Sequence, residues 1–387
     1  GHRKRKDDRA GSRKRDVNMQ VQKPDYQNSI LNLVNSILHN YGAPHRYTTL
    51  PEADEILKKD YRHVVLLVLD GMGVSVLERF LPEESFLRSH FQKEISSVFP
   101  PTTVAATTTL ESGLAPAEHG WLGWSMYFPE IQDKVNVFLN TTGSGGVIEG
   151  ELLADRMMPY EKLGSQIMHA CEAKAYEVSP FGDYHIDTFE ELLSGVKTLC
   201  RRDEKNYLYV YWPEPDHVMH EGGCTCREAG EWLKKIDREL EKLSEELSDT
   251  LLLVTADHGH IDGRNVSMEN YPELRECLKC LPAVEPRALS FHLKEGMEEQ
   301  FLESFKKHFG KEFLLFSREE ITESQLFGEG AYHPRFQEAI GDYFAVAVGA
   351  LNLFDTNEEK ENIIGVHAGM TKEEMTVPLI VVEKPKK

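Results

Sequence analysis

The stretch HVVLLVLDGMG, residues 63–73, holds an unbroken apolar run from Val64 to Leu69, then a carboxylate and two glycines. The run is too short for a helix and rich in β-branched residues. It reads as a strand buried on both faces, the mark of a parallel sheet. The same form recurs at YLYVYW (207–212), TLLLVTA (250–256) and VPLIVVE (377–383). Helical patterns lie between these runs. EWLKKIDRELEKLSEEL (231–247) sets Trp232, Leu233, Ile236, Leu240, Leu243 and Leu247 on one stripe, and NSILNLVNSILHNYG (28–42) keeps helical spacing until Gly42. Strands alternating with helices predict an α/β fold: a mostly parallel central sheet with helices on both faces.

Residues 265–342 have a different texture. RALSFHLK (287–294), the helical MEEQFLESFKKHFG (297–310), EFLLFS (312–317) and, at its end, DYFAVAVG (342–349) predict a small α/β lid inserted into the core. The expected organisation is therefore a core of residues 19–264 and 343–387 with a cap of residues 265–342. Residues 1–18, GHRKRKDDRAGSRKRDVN, are almost free of apolar side chains and read as a disordered basic tail or a leader placed before Met19. A basic arm for an anionic partner is the functional alternative for that tail.

The 387 residues include 44 basic and 64 acidic side chains, a net charge of −20, which argues against a nucleic-acid polymer as partner. No run of about 18 apolar residues suggests a membrane span. Six cysteines in a chain of this length do not form a disulfide framework, and a reducing, cytoplasmic compartment is the expectation. Cys224, Cys226, Cys277 and Cys280 could supply four thiolates to a structural zinc, but their spacing fits no common module and free thiols are the simpler reading. Homo-oligomerisation is left open.

In open α/β sheets, ligands bind beyond the carboxyl ends of the strands, so the residues there are the ones to weigh. The first strand ends at Asp70. The second runs into PEPDHVMHEGG, where Asp216 and His220 are four apart and share one face if helical. The third ends at Asp257 and His258, and His367 in IIGVHAGM precedes the last strand. Each alone is most simply a turn, cap or packing residue. Three Asp and three His on one sheet edge are harder to explain structurally, and they suit zinc, with manganese or iron as alternatives. FPPTTVAATTTLESG (99–113) then opens a helix whose first turn carries Thr103, where free amides and the helix dipole favour an anion.

These blocks, VLDGMG, FPPTTVAATTTLESGLAPAEHG, PEPDHVMHEGG, TADHGH and GVHAGMTKEEMTVPLIVV, span residues 68–382. In content and order they resemble the alkaline phosphatase superfamily, and within it the nucleotide pyrophosphatase/type I phosphodiesterase branch. The resemblance implies two divalent ions, one held by Asp70, Asp257, His258 and the Thr103 oxygen, the other by Asp216, His220 and His367. It implies a phosphoric ester hydrolase of phosphodiesterase type in which Thr103 attacks phosphorus, forming a phosphothreonine that water then hydrolyses. Two ions bring +4 against three carboxylates and a threonine alkoxide, which sums to zero. The alternatives are a phosphomonoesterase or phosphotransferase on the same scaffold and, from another class, a catalytically silent metal-binding protein. The expected partner is a small phosphorylated substrate, with diester or monoester preference open. Thr107, Thr108 and Thr109 are expected to pack or to bond back along the helix. Trp121, Trp124, Tyr127 and Phe128 are expected to pack, or else to wall a base or apolar leaving group. His217, His260 and His333 lie near the motifs without filling a ligand place.

Overall fold

A computed structural model describes residues 19–387; the tail expected at residues 1–18 lies outside the described residues. The central sheet has seven strands in the order Phe91–Ser96, Thr376–Lys384, Thr250–Thr255, His63–Leu69, Asn206–Trp212, Lys174–Ser179 and Tyr184–His185. His63–Leu69 pairs in parallel with both Asn206–Trp212 and Thr250–Thr255. All three of these strands are buried along their whole length. That is why they read as continuous apolar runs. Thr376–Lys384 is the one antiparallel strand in the set, pairing with Thr250–Thr255 and Phe91–Ser96. Its start therefore lies on the edge where the parallel strands finish.

Helices cover the sheet. Arg227–Glu245 buries Leu233, Ile236, Leu240 and Leu243 as its stripe requires, while Leu247 is buried just past its end. Ile30–Asn40 starts at a capping box formed by Ser29 and Asn32 and buries every residue from Ile30 to Leu38. The result is the expected α/β fold, a mostly parallel central sheet flanked by helices.

A second seven-stranded sheet, antiparallel throughout, runs Phe313–Ser317, Tyr343–Ala347, Ala288–Phe291, Ala283–Glu285, Ser125–Phe128, Asp133–Asn136 and Thr141–Thr142. Residues 265–342 supply three of these strands, and residues 125–142 and 343–347 complete it. The Glu298–Phe309 helix packs Phe301, Phe305 and Phe309 against Phe291 and Phe313. Another cluster of the second sheet, including Phe128 and Phe344, surrounds Phe99 and Val104 at the start of the threonine-rich helix. Arg287 joins the two sheets. It is fully buried, donates twice to Glu374 at 2.6 and 2.9 Å, and bonds the Gly349 and Leu351 carbonyls and the Asn352 side chain.

Candidate active site

The strand exits converge as their polarity demands. Asp70 follows the first strand, Asp257 and His258 follow Thr250–Thr255, and Asp216 opens the Asp216–Gly222 helix that carries His220. His367 arrives from the antiparallel side, just before the last strand, beside Ala368 at φ 89°, a left-handed conformation that a non-glycine residue holds only under local constraint. Two glycines make the convergence possible. A Cβ on Gly259 would fall 1.7 Å from the Glu373 carbonyl oxygen, and one on Gly71, at φ 80°, would lie 3.0 Å from the Asp216 Cβ.

Thr103 begins the Thr103–Ser112 helix. Its hydroxyl lies 3.2 Å from an Asp70 oxygen and 3.2 Å from His258 Nε2. Thr102 turns away and donates to Glu285, a half-buried carboxylate that also accepts the Trp124 amide. Thr107 and Thr108 donate to the carbonyls four residues back, and Thr109 pairs with His119. Of the five threonines, only Thr103 faces Asp70 and His258.

Two donor clusters result: Asp70, Asp257 and His258; and Asp216, His220, His260 and His367. Between them, His258 Nε2 and Asp216 Oδ1 lie 3.8 Å apart, and the His258 and His367 rings stack with centroids 3.6 Å apart. The donor set suits divalent cations on three grounds. First, the neighbouring donors His258–Asp70, Thr103–Asp70, Thr103–His258, His220–Asp216, His367–Asp216 and His258–Asp257 lie 3.0, 3.2, 3.2, 3.2, 3.5 and 3.5 Å apart. Ligands about 2.0 Å from one tetrahedral ion are separated by about 3.3 Å. Second, His258, His220 and His367 each set Nδ1 on a backbone carbonyl, of Gly259, Gly365 and Pro101 respectively. That partner takes the ring proton and leaves the Nε2 lone pair facing the carboxylates, as metal-binding imidazoles require. Third, Asp257 Oδ1 accepts the amides of Gly71 and His258, while its Oδ2 is buried with no partner. An unpaired buried carboxylate oxygen calls for a cation.

The electrostatics agree. Burial, then the neighbouring Asp216, pushes the Asp70 carboxyl well above its ordinary range. Burial and Asp70 do the same to Asp257. Burial pulls His367 well down, whereas Asp216 overcomes the burial of His220 and lifts it to about 9. Three carboxylates packed this closely ionise together only beside compensating positive charge.

The site also contains residues that had no ligand place in the sequence reading. His260 Nε2 lies 2.6 Å from Asp216 Oδ1, its Nδ1 has no partner, and burial holds the ring down at about 4, so it is neutral. The second histidine of TADHGH was its only trace. The Tyr211 hydroxyl donates to Asp70. Its alternation with Tyr207 and Tyr209 along one strand was legible, but its partner was not. His217 is exposed against Glu214 and Glu221, and His333 lies outside both clusters. The cysteines do not assemble: Cys224 packs in the main core and Cys277 in the second, and among the described residues no thiol joins a ligand cluster. Trp121 is buried, its indole on the Met158 carbonyl, and Phe128 is buried. Tyr127 stacks on His292 at 3.9 Å, and only Trp124 of this group is exposed.

Fold and site together define a hydrolase of the alkaline phosphatase superfamily. Residues 64–296 match the profile of the type I phosphodiesterase/nucleotide pyrophosphatase family, and the chain belongs to that family. It is a metal-dependent phosphoester hydrolase. Solved structures share the fold. Murine ectonucleotide pyrophosphatase/phosphodiesterase 5, as an inactive threonine-to-alanine variant with AMP, superposes with a TM-score of 0.65 at 17% identity, over 83% of this chain and 87% of that one. The human counterpart gives 0.65 at 16% identity, with the same shares of the two chains. Phosphonoacetate hydrolase from Sinorhizobium meliloti, with phosphonoformate, gives 0.61 at 17% identity, over 84% and 91%. No curated protein sequence matches. Among the described residues no helix is long and apolar enough to cross a membrane.

Proposed function

We propose that the chain is a two-metal phosphodiesterase or nucleotide pyrophosphatase with Thr103 as nucleophile, acting on a small phosphorylated substrate. One observation carries this reading: the Thr103 hydroxyl stands at a shared corner, 3.2 Å from both Asp70 and His258, on the first turn of a helix. Asp70, Asp257, His258 and Thr103 would hold one ion; Asp216, His220 and His367 would hold the other. Zinc suits these donors best. Bound there, the ions supply Lewis acidity at phosphorus and lower the pKa of the oxygens they touch.

The chain's own residues do the rest. Asp70 accepts the Thr103 hydroxyl and orients it, and Tyr211 fixes Asp70. The Thr102 side chain leaves the helix start uncapped, so first-turn amides remain free for the equatorial phosphoryl oxygens. Thr103 gives its proton to solvent, its oxygen bonds phosphorus, and the leaving oxygen departs with the pair of its broken P–O bond and takes up a proton from solvent. Water then cleaves the phosphothreonine and restores the hydroxyl. The Trp124 amide shares Glu285 with Thr102, which sets the exposed Trp124–Phe138 pair beside the nucleophile loop as a wall for an aromatic leaving group. The second sheet, with residues 265–342 at its centre, serves as the cap.

The test compares kcat/KM for bis-p-nitrophenyl phosphate and p-nitrophenyl phosphate on zinc-loaded protein, with Thr103→Ala as control. Diester preference and loss of turnover by at least ~10³-fold in the variant are expected. Intact turnover in Thr103→Ala removes the nucleophile assignment, and monoester preference moves the protein to the phosphomonoesterases.

A further inference from the structure

The second sheet reaches the nucleophile loop through one side chain. Glu285 ends the Ala283–Glu285 strand, the middle strand of that sheet. Its Oε1 accepts both the Thr102 hydroxyl, at 2.5 Å, and the Trp124 amide, at 2.9 Å. Thr102 is the residue before Thr103, so these bonds anchor the carboxylate beside the place where a phosphoryl group must sit. The other oxygen is unspent. Among the described residues Oε2 has no hydrogen-bond partner, and it is not closed off from water. His220 and His258, one from each donor cluster, are close enough to act on Glu285 electrostatically.

The charges around Glu285 decide what it can do. Burial raises its pKa, while the Thr102 and Trp124 donors and the two imidazoles oppose that rise, and any cation held by the clusters adds to the opposition. No basic side chain answers it. Among the described residues no lysine or arginine comes within 4.0 Å of Glu285, Asp70, Asp216 or Asp257; the ion pairs of the three aspartates are all with histidine. A phosphodiester bound at Thr103 brings one negative charge, whereas a monoester brings two at about pH 8. The second charge has no lysine or arginine to meet and an unpaired carboxylate to oppose it.

We propose that Glu285 is the specificity-determining residue of this site: its carboxylate disfavours phosphate monoesters by like charge and leaves monoanionic diesters as substrates. This rests on the phosphodiesterase reading above and names the side chain that produces the diester preference.

The experiment measures kcat/KM on zinc-loaded protein at about pH 8 for methyl p-nitrophenyl phosphate and p-nitrophenyl phosphate, which share a leaving group and differ by one charge. The quantity read is the diester-to-monoester ratio in each variant relative to the parent, in which intrinsic reactivity cancels. Glu285→Gln keeps the shape and an acceptor for Thr102 and Trp124 but loses the charge. Its ratio is expected to fall at least ~10-fold, through a gain on the monoester. Glu285→Asp keeps the charge and is expected to hold the ratio within ~3-fold. A merely structural role would depress both substrates together and leave the ratio alone. Glu285→Ala, at a half-exposed strand end, decides the matter if Glu285→Gln does not fold. A ratio within ~3-fold of the parent in the uncharged variants, a fall produced only by loss on the diester, or a matching fall in Glu285→Asp would each overturn the assignment while the phosphodiesterase reading stands. Monoester preference in the parent, or intact turnover in Thr103→Ala, removes that reading and this proposal with it.

Discussion

Replacing His260 tests how the second donor cluster is built. His260 Nε2 is 2.6 Å from Asp216 Oδ1, whereas His220 and His367 stand 3.2 and 3.5 Å from the same oxygen. The longer distances suit ligands sharing an ion; the short one is a hydrogen bond. The neutral His260 ring has one proton, and the carboxylate calls it to Nε2. On the two-metal reading proposed above, His260 is a positioning residue that holds Asp216, rather than a fourth ligand. A hydrogen bond to a charged group contributes about 1.5–3 kcal/mol, which at ~1.4 kcal/mol per decade is about 10- to 150-fold in affinity for the ion held by Asp216. His260→Leu should weaken that ion by this factor, as read by zinc competition against a chelator of known affinity, with two equivalents still bound at saturation. His260→Gln keeps an N–H donor and should stay within ~5-fold of the parent. Two results refute the reasoning. Affinity unchanged within ~3-fold in His260→Leu would mean that the bond supports nothing. Loss of one whole equivalent would mean that His260 is itself a ligand.

Two further outcomes follow from the packing. Arg287→Met leaves Glu374 buried with only the Thr371 hydroxyl and the Thr371 and Gly369 amides as partners. Stripping one partner from a buried ion pair costs about 3–5 kcal/mol, to be read as a fall in the urea midpoint at constant slope; a loss under ~1 kcal/mol would show that the pair does not join the two sheets as described. Trp124→Ala should raise KM for bis-p-nitrophenyl phosphate by about 3- to 10-fold with kcat nearly unchanged, since an exposed aromatic wall contributes binding and no chemistry; a fall in kcat alone would place Trp124 in the chemistry instead.

What the sequence revealed and what it hid divide along a physical line. The central strands were legible because burial on both faces leaves only apolar residues, so HVVLLVL announces itself without its neighbours. Asp70, Asp216, Asp257 and His258 were legible because they sit at the ends of such strands, or just past them, in the loops that follow. The second sheet was only half legible. Its strand at Ser125–Phe128 joins Ala283–Glu285 through a single register position, Val284 with Ser125, across more than 150 residues of chain, and no local pattern encodes that contact. Arg287 was hidden for the same reason: in RALSFHLK it reads as a surface cation, and only tertiary structure supplies the buried Glu374 that makes its burial tolerable.

The antiparallel last strand explains why the site needs both ends of the chain. With a wholly parallel sheet, every ligand loop would have to follow a strand. Running Thr376–Lys384 backwards lets a loop that precedes a strand reach the same edge, which delivers His367 opposite His258. The cost is a loop that must be pinned without a strand behind it. Glu374 does this: its backbone carbonyl accepts the Gly259 amide beside His258, while its carboxylate holds Gly369, two residues from His367, and is itself held by Arg287. One buried ion pair thus ties the second sheet to the loops that present a histidine to each donor cluster. Loosening it should therefore lower stability and zinc affinity together, whereas loosening His260 should lower affinity alone.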